Sequence, residues 1–306
     1  MIFILHRRGS GIVSDQPGSR GSSSGRCQPP RSGDGTGSEN GTDRSGVPAD
    51  ATVAGLDAHE RSVSIIIPTY NERENIEQVV ERCRDALAEY RFEIVVIDDD
   101  SPDETWRFVE DEYEGLEVVR VVRRTEESGL ATAVSRGFDE ATYELCAVID
   151  ADLQHPPEKL PELIAAFDSG ADIVIGSRHV PGGGVENWSR FRRLVSRGAM
   201  TIAKAALPPT RGISDPMSGF FAVRREILAG VSLAPTGYKI LLEILLKCEY
   251  DRVVEVPYVF TERERGESKL SAGEYLGFLE HVYDLRRDGY AVRDPHAAVS
   301  VDRNQQ

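Results

Sequence analysis

Nowhere in this 306-residue chain do apolar residues run on for the roughly 18 positions that a membrane-spanning helix needs, so a soluble domain is expected. Cysteine is scarce. Cys27, Cys83, Cys146 and Cys248 lie far apart, with no Cys-x-x-Cys pair and no histidine at ligand spacing, which argues against a thiolate metal site. The last three read instead as small apolar residues in a reducing compartment. Lysine is rarer still for its class, with 5 among 36 basic residues, and the net charge is −15. An acidic surface of that size argues against nucleic acid as a partner and would fit a high-salt cytoplasm. Two glycine signatures are missing as well. The first strand is followed by Pro68-Thr69-Tyr70-Asn71-Glu72 where a Rossmann dehydrogenase needs Gly-x-Gly-x-x-Gly, and no Walker A sequence occurs. Gly182-Gly183-Gly184 reads as a loop.

What is present divides the chain. Residues 1–60 contain 11 Gly, 9 Ser and 4 Pro without apolar periodicity, so that segment is expected to be disordered. It holds 6 basic and 7 acidic residues, so nearly all the acid excess lies beyond it. Met1 to Arg8 is too brief for a secretory signal and has its charges on the wrong side. The next methionine is Met200, which suggests a valine start such as Val47 or Val53 for the native protein. Residues 61–287 are expected to form one α/β domain, and 288–306 a flexible polar tail.

Within the domain, apolar runs alternate with stretches of helical spacing. Strands are expected at Ser62–Pro68, Phe92–Ile97, Leu116–Val122, Leu145–Ile149 and Asp172–Gly176. Helices are expected at Asn75–Tyr90, Glu104–Tyr113, Leu130–Ala141, Phe191–Leu207, Tyr238–Cys248 and Ser271–Arg287. Such alternation implies a mostly parallel sheet with helices on both faces and right-handed crossovers.

The fourth strand ends in Asp150-Ala151-Asp152-Leu153-Gln154-His155-Pro156-Pro157. Carboxylates two apart at a strand end share a face and can converge on one cation. Their hard oxygens suit Mg²⁺ or Mn²⁺, with substrate phosphates completing the shell. Asp98-Asp99-Asp100 after the second strand falls on the same edge, where open α/β sheets bind ligands.

Seven motifs then occur in order: Pro68-Thr-Tyr-Asn-Glu72, Ile97-Asp-Asp-x-Ser-Pro102, Asp150-to-Pro156, Gly176-Ser-Arg178, Asp215-Pro-Met-Ser-Gly-Phe220, Gly237-Tyr-Lys-Ile240 and Phe260-x-x-Arg-x-x-Gly-x-Ser-Lys-Leu270. Over residues 62–285 the chain resembles the inverting glycosyltransferases of family 2, and the last three motifs resemble the branch that loads mannose onto dolichyl or polyprenyl phosphate for protein glycosylation. The resemblance implies a GT-A nucleotide-sugar-binding fold. It implies donor contacts from Pro68, Tyr70, Glu72, Ile97, Asp99, Asp150, Ala151, Asp152, Gln154, Lys239, Arg263 and Lys269. It further implies a Mg²⁺ or Mn²⁺ site at Asp150, Asp152 and Gln154, an acceptor-phosphate grip by Arg178, Arg192 and Ser196, and catalytic roles for Asp152 and Arg178. Arg263 and Lys269 would lie on a lid closing over the diphosphate.

A phosphate acceptor needs no general base, because its second ionisation falls near pH ~6. Asp215 would be a base if the acceptor were a sugar hydroxyl, as in glycan-extending members of the family. The motifs are also compatible with UDP-glucose as donor, or with a catalytically silent nucleotide-sugar-binding subunit. The basic helix at Phe191–Leu207 and the last helix are expected to dock peripherally on the cytoplasmic face of a membrane.

Overall fold

Strand β1 (Ser62–Thr69) is rich in β-branched residues and buried from Val63 onward. Its side chains alternate between two cores, Val63, Ile65 and Ile67 into one and Ile66 into the other. A strand apolar on both faces belongs in the middle of a covered sheet. β1 does lie there, paired in parallel with β2 (Arg91–Asp98) and β4 (Leu145–Val148).

The computed structural model describes residues 61–233, 239–261, 272–288 and 299–301. The expected N-terminal segment 1–60, the loop bearing Arg263 and Lys269, and most of the polar tail lie outside them. Further strands are β3 (Val119–Arg123), β5 (Ile173–Ser177), β6 (Gly184–Val185), β7 (Phe221–Arg224), β8 (Val253–Pro257), β9 (Val259–Phe260) and β10 (Val299–Val301). The main sheet has eight strands in the order β10-β8-β5-β7-β4-β1-β2-β3, and β6 pairs with β9 in a separate ribbon. β10, inside the stretch expected to be a tail, is an edge strand parallel to β8.

Helices α1 (Ile76–Ala86), α2 (Thr105–Glu112) and α4 (Leu160–Ala165) cover the first face. Helices α3 (Leu130–Glu140) and α6 (Ile240–Lys247) cover the second. Gly137 lets α3 approach β1, because a Cβ there would collide with Ile66. Helices α5 (Arg190–Ala206) and α7 (Ala272–Asp288) form an outer layer on α6, through Ala203, Leu207, Leu242, Leu246, Phe278 and Val282. α1 is shorter than its apolar spacing suggests, because Leu87–Tyr90 closes a turn before β2.

β7 is antiparallel to both neighbours, β4 and β5, in an otherwise parallel sheet. This reversal positions the site. Parallel strands finish at the carboxyl edge, so only a reversed strand can begin there, and the segment leading into β7 (Asp215–Phe220) is thereby delivered beside the end of β4.

The outer helix α5 turns two large apolar residues to solvent. α5 packs through small residues, Ala199, Ala203 and Ala206, with Met200 and Leu207. Leu194 (69% exposed) and Ile202 (44% exposed) face outward with Arg193 and Arg197. Alanine allows close helix approach, and the bulkier side chains are turned to the far side.

Candidate active site

After β4 the chain makes a tight turn that holds the acidic pair. Leu153 is buried yet has φ +62°, a left-handed backbone costing about 1–2 kcal/mol for a side-chain-bearing residue. The surrounding hydrogen bonds hold it there. Gln154 N–H donates to Asp152 Oδ1 at 3.1 Å. Thr261 clamps the turn from β9: its N–H donates to the Gln154 carbonyl at 3.3 Å and its Oγ1 to the Leu153 carbonyl at 3.3 Å. The Gln154 amide donates to the Thr261 carbonyl at 3.4 Å, so its Oε1 is the oxygen left for a cation. Strained non-glycine backbone recurs at Asn71, Asp100 and Glu104, all in loops at this same edge.

Asp150 lies two residues past the end of β4, with its side chain 23% exposed. His155 lies beneath it, buried and stacked on Phe220 at 5.4 Å, with Tyr258 and Phe260 edge-on. Burial, offset in part by Asp152, pushes the imidazole down to about 4, so it is neutral and its 3.6 Å approach to the Asp150 carboxylate is not an ion pair. Gly219 packs against the same carboxylate. A Cβ there would lie 3.1 Å from Asp150 Oδ2 and 3.2 Å from His155 Cε1. Gly219→Ala is therefore expected to weaken Mn²⁺ binding severalfold with little change in melting temperature, read by titration calorimetry and thermal unfolding.

Two carboxylates and one amide oxygen fit a hard cation that keeps water and substrate phosphate in its shell. Among the described residues no group of three His, Cys, Asp or Glu side chains converges, so a fully protein-made cage is not what this turn offers.

Arg178 follows β5. Its Nε and one terminal nitrogen donate to Asp215 at 2.7 and 2.8 Å, and its backbone N–H donates to Asp215 Oδ2 at 3.1 Å. Asp215 is fully buried; burial alone would raise its carboxyl, but Arg178 outweighs that and holds it below the ordinary range. The same carboxylate keeps the guanidinium protonated against burial. Behind the pair, Glu255 of β8, also fully buried, accepts the N–H groups of Ser214 and Asp215 at 2.8 and 3.0 Å. Glu255 thus positions Asp215, which positions Arg178. Nothing in the sequence marked Glu255 beyond one acid in an apolar strand. Gly176 admits the Phe220 ring at this point, because a Cβ would meet it at 2.6 Å.

The loops after β1 and β2 are zipped together. Asp98 accepts Ser101 N–H and Oγ–H and Thr69 Oγ1–H at 2.7–3.0 Å, and Asn71 and Glu72 N–H donate to Ser101 and Thr105 hydroxyls. Glu72 is buried and accepts from Asn75 Nδ2 at 2.8 Å. Asp99, expected among the donor contacts, bonds within the protein. Its side chain is fully buried, with Oδ1 taken by Arg124 Nε at 2.6 Å and Oδ2 by Gly129 N–H at 2.7 Å. It organises the α3 entrance instead. Pro68 and Ile97, paired across β1 and β2, sit beneath these loops, with Tyr70 half-buried above.

On the other side, Arg192 lies over the Trp188 ring at 4.4 Å, Trp188 meets Phe260 edge-on at 5.5 Å, and Arg178 is 5.5 Å from the Phe260 centroid. One aromatic pair thus separates the two guanidinium groups. Ser196 is one helical turn beyond Arg192 on α5, half-buried. Lys239, at the start of α6, donates to the Met217 carbonyl at 3.2 Å, on the loop that carries Asp215 and Gly219. Ala151 is buried in the turn. Arg263 and Lys269 lie outside the described residues.

Residues 64–231 match the sequence model of Glycosyl transferase family 2. The chain is 54% identical over 225 residues to a dolichol-phosphate mannosyltransferase of Pyrococcus furiosus, covering 74% of this chain and 64% of that protein's length. It is 40% identical over 216 residues to a polyprenol monophosphomannose synthase of Mycolicibacterium smegmatis, covering 68% of this chain and 80% of that one. Among solved structures, glucosyl-3-phosphoglycerate synthase of Mycobacterium tuberculosis with Mn²⁺ and UDP superposes with a TM-score of 0.58 at 21% identity, covering 81% of this chain and 87% of that one. That likeness establishes a shared fold.

Proposed function

The chain belongs to glycosyl transferase family 2, and within it we propose an enzyme that transfers mannose from GDP-mannose to a dolichyl or polyprenyl monophosphate. The observation that carries this reading is the Arg178–Asp215 pair. Asp215 is the carboxylate that a hydroxyl acceptor would need as its base, and here it is buried and bound to a guanidinium. A phosphate monoester supplies its own anionic oxygen.

Asp150, Asp152 and Gln154 would hold the divalent cation, which when bound supplies Lewis-acid neutralisation of the departing diphosphate. Arg178, aligned by Asp215, presents its remaining terminal nitrogen to the acceptor phosphate from one side of Phe260, with Arg192 and Ser196 from the other. Guanidinium forks match phosphate oxygens in a way lysine does not. The acceptor oxygen attacks the anomeric carbon from the face opposite the nucleotide. The bond from that carbon to the diphosphate oxygen breaks, and GDP leaves with the electron pair. No proton moves, and the anomeric centre inverts. Alignment and charge neutralisation carry the rate. Lys239, Arg263 and Lys269 are assigned to the donor diphosphate and sugar. Tyr70 and Glu72 are assigned to the nucleoside, with Asp99 acting through Arg124 and Gly129.

The test is acceptor chemistry against pH. Transfer to polyprenyl phosphate is expected to fall below pH ~6, where the acceptor gains a proton, and polyprenol is expected to accept nothing. Equal use of the alcohol would overturn the reading, and a matched assay with UDP-glucose decides the donor.

Among the described residues no helix is long and apolar enough to cross a membrane. We assign α5 and α7 to peripheral docking on the cytoplasmic face. Leu194, Ile202, Leu279 and Tyr283 are exposed, with Arg193, Arg197, Arg286 and Arg287 among them, on a protein of net charge −15. Each arginine contributes about 1 kcal/mol at an anionic surface. Arg193→Glu with Arg197→Glu is thus expected to abolish co-sedimentation with anionic liposomes at low salt. No binding by the unaltered protein would contradict the assignment.

A further inference from the structure

The Asp150 backbone N–H points at an imidazole. It lies 3.3 Å from Nδ1 of His155, five residues on, across the turn whose apex is strained at Leu153. A backbone N–H can only donate, so Nδ1 is the acceptor and carries no proton, which places the ring proton on Nε2. The ring has little freedom to do otherwise. It is 2% exposed and held by the Phe220 stack at 5.4 Å and by the edges of Tyr258 and Phe260 at 5.7 and 5.6 Å. Its Cε1 also borders Gly219, which borders the Asp150 carboxylate in turn.

The two carboxylates of the turn, Asp150 and Asp152, thus have separate supports. Asp152 is fixed through its own carboxylate by Gln154 N–H at 3.1 Å. Asp150, half-buried and two residues past the end of β4, has its backbone fixed by the imidazole.

We propose that His155 is a positioning residue for the cation site: its Nδ1 accepts the Asp150 N–H and so sets the separation of the Asp150 and Asp152 carboxylates. This rests on the reading that those carboxylates hold the divalent ion. Partners that orient a metal ligand are typically worth about 10–100-fold in metal affinity when removed.

Two variants separate the hydrogen bond from the packing. His155→Phe keeps an aromatic ring against Phe220 and removes the acceptor. His155→Asn puts an amide oxygen close to where Nδ1 was. The expected result is a Mn²⁺ dissociation constant raised about tenfold in His155→Phe, within the range such partners carry, with most of it recovered in His155→Asn. Hydrogen exchange at the Asp150 amide should accelerate in the first and slow again in the second. Unchanged Mn²⁺ affinity in His155→Phe, or no recovery in His155→Asn, overturns the proposal. Absence of Mn²⁺ binding by the unaltered protein overturns the cation reading itself, and the proposal with it. The unaltered protein also tests it without any variant. Nitrogen-15 spectra are expected to show Nδ1 unprotonated at neutral pH, and a proton on Nδ1 would overturn it.

Discussion

Asp152→Asn is expected to lower mannosyl transfer by roughly 10³-fold, which corresponds to about 4 kcal/mol of transition-state stabilisation. Asparagine keeps the shape of the side chain and can still accept the Gln154 N–H at Oδ1. What it removes is the negative charge that holds the cation on the departing diphosphate. The loss should therefore fall on catalysis and metal affinity, with melting temperature near that of the unaltered protein. Initial rates across a Mn²⁺ series, with thermal unfolding on the same samples, check both halves. A variant with near-normal turnover would remove Asp152 from the catalytic centre.

Asp215→Ala is expected to act through stability first. Arg178 is 12% exposed and Asp215 wholly buried, so removing the acid leaves an uncompensated guanidinium in the interior. Breaking such a pair costs about 3–5 kcal/mol, whereas replacing both partners with apolar residues is often near neutral. Chemical denaturation should show Asp215→Ala far less stable than Arg178→Met with Asp215→Leu, although both lose transfer. The pair also sets an acid limit. Asp215 titrates below its unfolded value of about 3.9, so its contribution is full above that pH and is lost as pH falls through the folded value. Stability of the unaltered protein should therefore drop below pH ~4, and this component should be absent from the apolar double variant.

The parallel half of the fold was legible because local pattern and tertiary role agree there. Ser62–Thr69 has too little polarity to be anything but a central strand, and the acidic pair lies where such strands end. β7 was not legible. Four residues, Phe221–Arg224, give no periodicity to read, and strand direction is set by partners rather than by composition. The Arg178–Asp215 pair spans 37 positions, so each residue could be noticed while their mutual commitment could not. Asp99 shows the same limit. It follows β2 at the sheet edge, but Arg124 and Gly129, 25 and 30 residues on, each bond one of its oxygens. Glu255 acts on backbone N–H groups, which nearly every residue has, so no side-chain motif announces it. His155 stands inside the Asp150-to-Pro156 motif, but its bond to the Asp150 N–H is not written in the residue types. On α5, apolar spacing alone does not say which side faces the protein, and the alanines decide the packing.

One measurement bears most directly on the whole account: transfer of labelled mannose from GDP-mannose into extractable polyprenyl phosphate, with Mn²⁺ and with EDTA. A mannosyl phospholipid is expected with the metal and is expected to be lost with the chelator. Transfer undiminished by EDTA, or none from GDP-mannose when the nucleotide still binds, would contradict it.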